Sequence, residues 1–68
     1  MSDEIKDATQ AMDIAQKAME KAGWTYYMVT GVRMEGSTWI VELSTFGGKF
    51  QVTVSATTGD VVDLRQIQ

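Results

Sequence analysis

Hydroxyl, amine and carboxylate groups are the side chains here that could perform covalent chemistry, because the 68 residues include neither histidine nor cysteine. Nucleophilic catalysis would then need a serine or threonine activated by a lysine. The residues that could supply such a pair are Ser44, Lys49, Thr53 and Ser55. Their alternation with apolar residues places all four on the open face of a predicted sheet, where nothing activates a nucleophile. The pattern therefore indicates ordinary strand polarity.

Two carboxylates, Glu42 and Asp63, flank Thr53 in the same predicted sheet and resemble an acid pair. Two strand spacings separate their backbones by ~9.6 Å, and an open sheet face offers no pocket that would shift a carboxylate pKa. We therefore expect no enzymatic activity and no catalytic residue. A small enzyme is the third class of function, after a protein-binding module and a self-assembling structural protein.

Acidic residues near the start of the chain could suggest a cation site, since Asp3, Glu4 and Asp7 lie close together. Calcium loops, however, interleave acids with a glycine turn and end in a bidentate glutamate, and this spacing is absent. The Gly47-Gly48 pair lacks the lysine and the following helix of a phosphate-binding loop. We expect neither a metal nor a cofactor.

The charge and hydropathy of the chain exclude further classes of function. A net charge of −3 and a pI near 4.6 give no basic field, so neither nucleic acid nor an anionic membrane is an expected partner. The sequence has no apolar run of the ~18–20 residues that membrane insertion needs. The first residues do not resemble a signal peptide, which predicts a cytoplasmic protein. A domain excised from an exported precursor, with Met1 supplied by cloning, would have the same sequence.

Small apolar residues recur every three or four positions in the first third of the chain and predict an amphipathic helix over about residues 3–22. The members of this apolar stripe are Ile5, Ala8, Met12, Ala15, Met19 and Ala22. Ser2 fits the N-cap position, ahead of the acidic residues Asp3, Glu4 and Asp7. Gly23 fits the first position after the helix, with Trp24 turned back toward Met19.

After the helix the apolar period changes to two, and β-branched and aromatic residues dominate. Turn signals at Gly36-Ser37, Gly47-Gly48 and Gly59 divide this half into four strands. The predicted strands cover about residues 25–35, 38–46, 49–56 and 61–67. We therefore predict a single α+β domain over residues 1–68, with the helix packed on one face of a four-stranded antiparallel meander.

The positions of the three turns also fix a strand register, and this register places one set of apolar residues on the helix side. The predicted core rows are Val32, Val41, Val54 and Val62, then Thr30, Leu43, Val52 and Leu64, with Met28, Met34, Trp39 and Phe50 at the ends.

Large apolar residues also remain on the predicted outer face of the sheet, around the aliphatic part of the Lys49 side chain. The residues of this predicted contact surface are Tyr27, Val29, Phe46, Lys49 and Ile67. They are either scattered surface hydrophobes, which are common, or a contact surface for another protein or for a second copy of this chain. The first strand is a second candidate, because it is a sheet edge with neither proline nor lysine to prevent strand addition.

The segment Phe50–Val62, with its alternating strand, Ala-Thr-Thr-Gly-Asp turn and valine-rich continuation, resembles the PepSY domain. An alanine-bearing helix and a strand led by Trp39 match the earlier part of that pattern, so the resemblance covers nearly the whole chain. A weaker resemblance, through Val29-Thr30-Gly31-Val32 followed by Trp39 and Val41, is to a small gas-vesicle accessory family.

The PepSY resemblance implies a non-catalytic domain that binds or regulates another protein, a peptidase being the expected target. We therefore expect a small protein-binding or regulatory module that acts through the outer sheet face or the first-strand edge. The alternative is a structural protein that assembles with copies of itself or with accessory partners.

Overall fold

The computed structural model of the chain describes residues 7–67 as one helix followed by four strands. Helix α1 spans Ala8–Lys21, and strands β1 to β4 span Met28–Glu35, Thr38–Thr45, Gly48–Ser55 and Val61–Gln66. The strands form one antiparallel sheet in the order β1-β2-β3-β4, and α1 contacts all four. The predicted α+β fold, a helix on an antiparallel meander, is confirmed.

The helix begins at Ala8 rather than near residue 3, because Asp7 has an extended backbone (φ −145°, ψ 165°). Its Oδ1 accepts a hydrogen bond of 2.9 Å from the backbone N–H of Gln10, so Asp7 is the N-cap. The predicted cap Ser2 and the acidic residues Asp3 and Glu4 lie outside the described residues.

The C-terminal end of the helix is a Schellman motif, as predicted. Gly23 has φ +97°, and its N–H donates to the carbonyl of Glu20. The N–H of Trp24 reaches back to the carbonyl of Met19 at 3.1 Å. This reversal lays the indole on the core, with its ring centroid 5.0 Å from that of Phe50.

The core lies between one stripe of α1 and the inner face of the sheet. Its buried members are Ala11, Ala15, Met19, Val41, Leu43, Phe50, Val52 and Val54. Small residues on the helix let its axis approach the sheet, while the two central strands supply most of the bulk. The edge strands contribute Val29, Val32 and Leu64, which are only partly buried.

The β1–β2 hairpin follows the predicted register from Glu35 back to Val32 and then departs from it. A bulge inserts Thr30 as an extra residue, so that Val29 instead of Thr30 pairs with Leu43. The Thr30 hydroxyl donates to the carbonyl of Glu42 at 3.2 Å. The prediction that Thr30 faces the core is therefore wrong, and so is that for Met28, which is 68% exposed.

The β2–β3 register is shifted by two residues from the predicted one. The two-residue loop is Phe46-Gly47, not Gly47-Gly48, so Thr45 pairs with Gly48. The Thr45 hydroxyl stabilises this loop: it accepts from the N–H of Gly47 at 3.0 Å and donates to the carbonyl of Gly48 at 3.1 Å. A shift of two preserves the faces, so the inward residues are those predicted, with new neighbours.

The β3–β4 register is as predicted at the pair of Val52 with Leu64, but a second bulge follows. Val54 pairs with Val61 instead of Val62, and the last turn then closes with the N–H of Ser55 donating to the carbonyl of Asp60 at 2.8 Å. Val62 becomes the extra residue of the bulge and is 62% exposed. Its predicted place in the core is therefore wrong.

Replacing Gly59 by valine is expected to lower the free energy of unfolding by more than ~1 kcal/mol, because Gly59 has φ +80° in the last turn. Gly31→Ala is the matched control, since its φ is not positive and a Cβ there would meet only Glu42 Oε1 at 3.9 Å. Urea unfolding of both variants measures the difference. Equal midpoints for Gly59→Val and the wild type would contradict the turn geometry.

Candidate protein-contact face

On the outer face of the sheet, opposite α1, residues that pair across neighbouring strands form rows of side chains. Three of these rows run from β1 to β4. They are Met28, Ser44, Lys49 and Ile67; then Gly31, Glu42, Gln51 and Arg65; then Arg33, Ile40, Thr53 and Asp63. Ile67 follows the end of β4 and belongs to the first row because its N–H donates to the carbonyl of Lys49 at 2.7 Å.

Two residues of the predicted contact surface, Tyr27 and Val29, are on the helix side instead. The bulge at Thr30 reverses the side of every β1 residue that precedes it. Val29 therefore packs against the core, and so does Tyr27. The Tyr27 hydroxyl donates to Glu20 Oε2 on α1 at 2.8 Å. The outer-face assignment of these two residues is wrong.

The hydrogen bond to Glu20 raises the pKa of Tyr27 above its ordinary value near 10, and partial burial and the carboxylate charge act in the same direction. The folding stability that this hydrogen bond supplies is fully present at pH values below the ordinary tyrosine pKa. It is lost as the pH rises through the higher pKa that Tyr27 has in the folded protein. In the Tyr26→Phe variant Tyr27 is the one tyrosine left, and absorbance titration should show that it ionises at a higher pH than an ordinary tyrosine. Adding Glu20→Gln should lower this pKa. An unchanged titration curve would contradict the contact.

The same bulge brings other apolar residues to the outer face beside Phe46. Tyr26, Met28 and Phe46 are 73%, 68% and 93% exposed, and we name these three the corner patch. The rings of Tyr26 and Phe46 meet edge to face, with centroids 6.2 Å apart. Together with Tyr27, Ser44 and Thr45 they line a groove of about 390 Å³.

Sequence reasoning missed Tyr26 as a surface residue and assigned Met28 to the wrong face. Gly31, inside an otherwise regular strand pattern, was the available signal, because a glycine in a strand often marks a bulge. Phe46 is exposed as predicted, although it lies in the loop rather than in a strand. Lys49 and Ile67 remain in one row, with Met28 in the place predicted for Tyr27.

The remaining two rows of the outer face carry mostly polar side chains, with Ile40 between Arg33 and Thr53 only 6% exposed, and their charged groups are paired with one another. Arg33 contacts Glu35 and Glu42 through its Nε and Nη1 atoms, both at 2.6 Å, and these bonds raise the pKa of its guanidinium. Asp63 pairs with Arg65 at 2.6 Å. All of these groups are substantially exposed, so each pair contributes little to folding stability.

Of the residues weighed for catalysis, Ser44 and Lys49 pair across β2 and β3, with Ser44 lining the groove of the corner patch and Lys49 exposed beside it. Thr53 lies in the same row as Asp63, while Glu42 lies one row away and is engaged by Arg33. Within residues 7–67 no group of three or more acidic, histidine or cysteine side chains could hold a metal ion. No helix of that same range is long and apolar enough to cross a membrane.

Strand β1 is one of the two edges of the sheet, as predicted for the first strand. Its Thr30 bulge interrupts the edge near the corner patch, while Val32–Glu35 pairs regularly with β2. Bulges of this kind protect sheet edges against addition of a further strand. The outer face is therefore the stronger of the two predicted contact surfaces.

No family model, no curated protein sequence and no solved structure matches this chain. The resemblances to PepSY domains and to the gas-vesicle accessory family therefore stay predictions.

Proposed function

We propose that this protein is a non-catalytic binding module that contacts another protein through the outer face of its sheet, with the corner patch as the main anchor. The single observation that carries the proposal is the exposure of Tyr26, Met28 and Phe46 side by side at one end of that face. A PepSY-like regulatory role, with a peptidase as the target, is the form of this function that the sequence resemblance favours.

The size of the corner patch supports this choice over scattered surface apolarity. An aromatic side chain offers about 150–250 Å² for burial, so three large side chains at these exposures leave roughly 400 Å² uncovered. The largest apolar patch on a typical monomer is ~300–600 Å² and often has a function. Tyrosine and phenylalanine are also enriched in the cores of protein interfaces.

A structural, self-assembling role is the second candidate, and the charge of the outer face favours it. The six ionisable groups in and beside its rows are Arg33, Glu35, Glu42, Lys49, Asp63 and Arg65. Three are basic and three acidic, so the face is neutral although the chain carries −3. A neutral face attracts neither strongly basic nor strongly acidic partners, and it does not repel a copy of itself.

Selection from a displayed random-peptide library tests the binding function even while the natural partner is unidentified. Ligands that bind the wild type are expected to lose at least ~10-fold in affinity for Phe46→Ser, because an interface depends on a few aromatic anchors. Met34→Ser is the matched control, since Met34 is 48% exposed but lies on the helix side of the sheet. Ligands that bind all three proteins equally, or no enriched ligand at all, would contradict the proposal.

A further inference from the structure

We propose, building on the binding function above, that the partner of the outer face is a second copy of this chain. The two sheets pack outer face to outer face about a two-fold axis that runs parallel to the strands, between β2 and β3. Strand β1 of each copy then lies over β4 of the other, and β2 lies over β3. This is the aligned packing of two sheets, roughly 10 Å apart, with both helices on the outside.

The charges of the outer face become complementary under this two-fold rotation. The row that begins with Arg33 ends with Asp63, so reversing it places each Arg33 over the second copy's Asp63. The row that begins with Gly31 ends with Arg65. Because Gly31 has no side chain, the second copy's Arg65 has room beside Glu42.

The apolar groups also meet under the same rotation. The first row begins with Met28 and ends with Ile67, which are 68% and 41% exposed, and the reversed row stacks each on the other. Phe46 lies in the loop that joins β2 to β3, and therefore close to the two-fold axis. Its ring, 93% exposed, meets the second copy's Phe46 there.

The face is large enough for such a dimer. Four strands ~4.8 Å apart and about eight residues long present a face of roughly 19 Å by 26 Å, about 500 Å² before side-chain relief is counted. A standard interface buries ~800 Å² of accessible surface per partner, which is of the same order. The polar rows must lose water on association, so we expect micromolar rather than nanomolar dissociation constants.

Sedimentation equilibrium between about 1 µM and 1 mM tests the association. The wild type is expected to pass from monomer to dimer over this range. Phe46→Ser should raise the dimer dissociation constant at least ~30-fold, the effect of losing an aromatic anchor, while Met34→Ser leaves it nearly unchanged. A wild type that stays monomeric at 1 mM, or a Phe46→Ser variant that dimerises normally, overturns the proposal. Library ligands that depend on Phe46 would still uphold the binding function.

Cross-linking tests the arrangement of the two copies, and the natural absence of cysteine keeps the background low. Chains carrying Met28→Cys are mixed with chains carrying Ile67→Cys and treated with a bismaleimide that spans ~10 Å. Positions 28 and 67 are three strand spacings apart within one copy, ~14 Å, but one sheet separation apart between copies. Covalent dimers should form in the mixture and not with either chain alone. Equal yields in all three reactions would overturn the proposed arrangement.

Discussion

Replacing Phe50 by alanine is expected to lower the free energy of unfolding by about 3–5 kcal/mol, the largest single effect we predict. The Phe50 side chain is 7% exposed and lies between Leu43 on β2 and the indole of Trp24. Its loss leaves a cavity at the point where the helix end, the β2–β3 loop and the sheet meet. Urea unfolding followed by tryptophan fluorescence measures the change.

Phe46→Ala is the control for this substitution, because it makes the same chemical change four residues earlier. Phe46 is 93% exposed, so its removal should change stability by less than ~0.5 kcal/mol. If the two phenylalanine variants unfolded at similar urea concentrations, the assignment of Phe50 to the core face and of Phe46 to the exposed loop would be wrong.

Met19→Ala is expected to cost about 2–5 kcal/mol, the second of the large effects. Met19 is fully buried near the end of α1 and contacts the sheet core. Alanine has the higher helix propensity, so the helix itself is not weakened and the loss measures packing of the helix on the sheet. Chemical denaturation gives the value.

Met12→Ala provides the comparison within the same helix. Met12 lies on the predicted apolar stripe but is only partly buried, so the same deletion there should cost well under half as much. A larger loss at Met12 than at Met19 would mean that the helix presents a different face to the sheet.

Local sequence chemistry was sufficient to predict the elements and most of the faces. The Gly23-Trp24 pair predicted the Schellman end, and Gly59 predicted a left-handed turn residue, because few side chains tolerate positive φ. The alternation of Val52 and Val54 with polar neighbours predicted the inward face of β3. These features depend on residues close together in the chain, which a single sequence records directly.

The two bulges could not be predicted in the same way, because the one local signal, Gly31 in β1, indicates a bulge without fixing which residue is inserted. At Thr30 a single extra residue lets Val29 cover the core and Tyr27 reach Glu20 on the helix. At Val62 the extra residue lies just after the last turn, which closes where the N–H of Ser55 donates to the carbonyl of Asp60. Strand alternation cannot show such insertions, since one residue reverses every side chain beyond it.

Three of the five residues predicted for the contact surface lie on the outer face, and two other residues take the positions that were expected for Val29 and Tyr27. Phe46, Lys49 and Ile67 are still together on the outer face, while Met28 and Tyr26 replace Val29 and Tyr27. The β1 bulge thus exposes the methionine and one tyrosine that make the corner patch.

The most direct test of the outer face as a contact surface is a series of amide proton–nitrogen NMR spectra of the wild type from about 20 µM to 1 mM. We predict concentration-dependent shifts confined to the outer-face rows and the corner patch, centred on Met28, Phe46 and Ile67, while the solvent-facing side of α1 does not change. Spectra that are identical at all concentrations, or shifts that map to the helix, would contradict the outer face as the site of self-association.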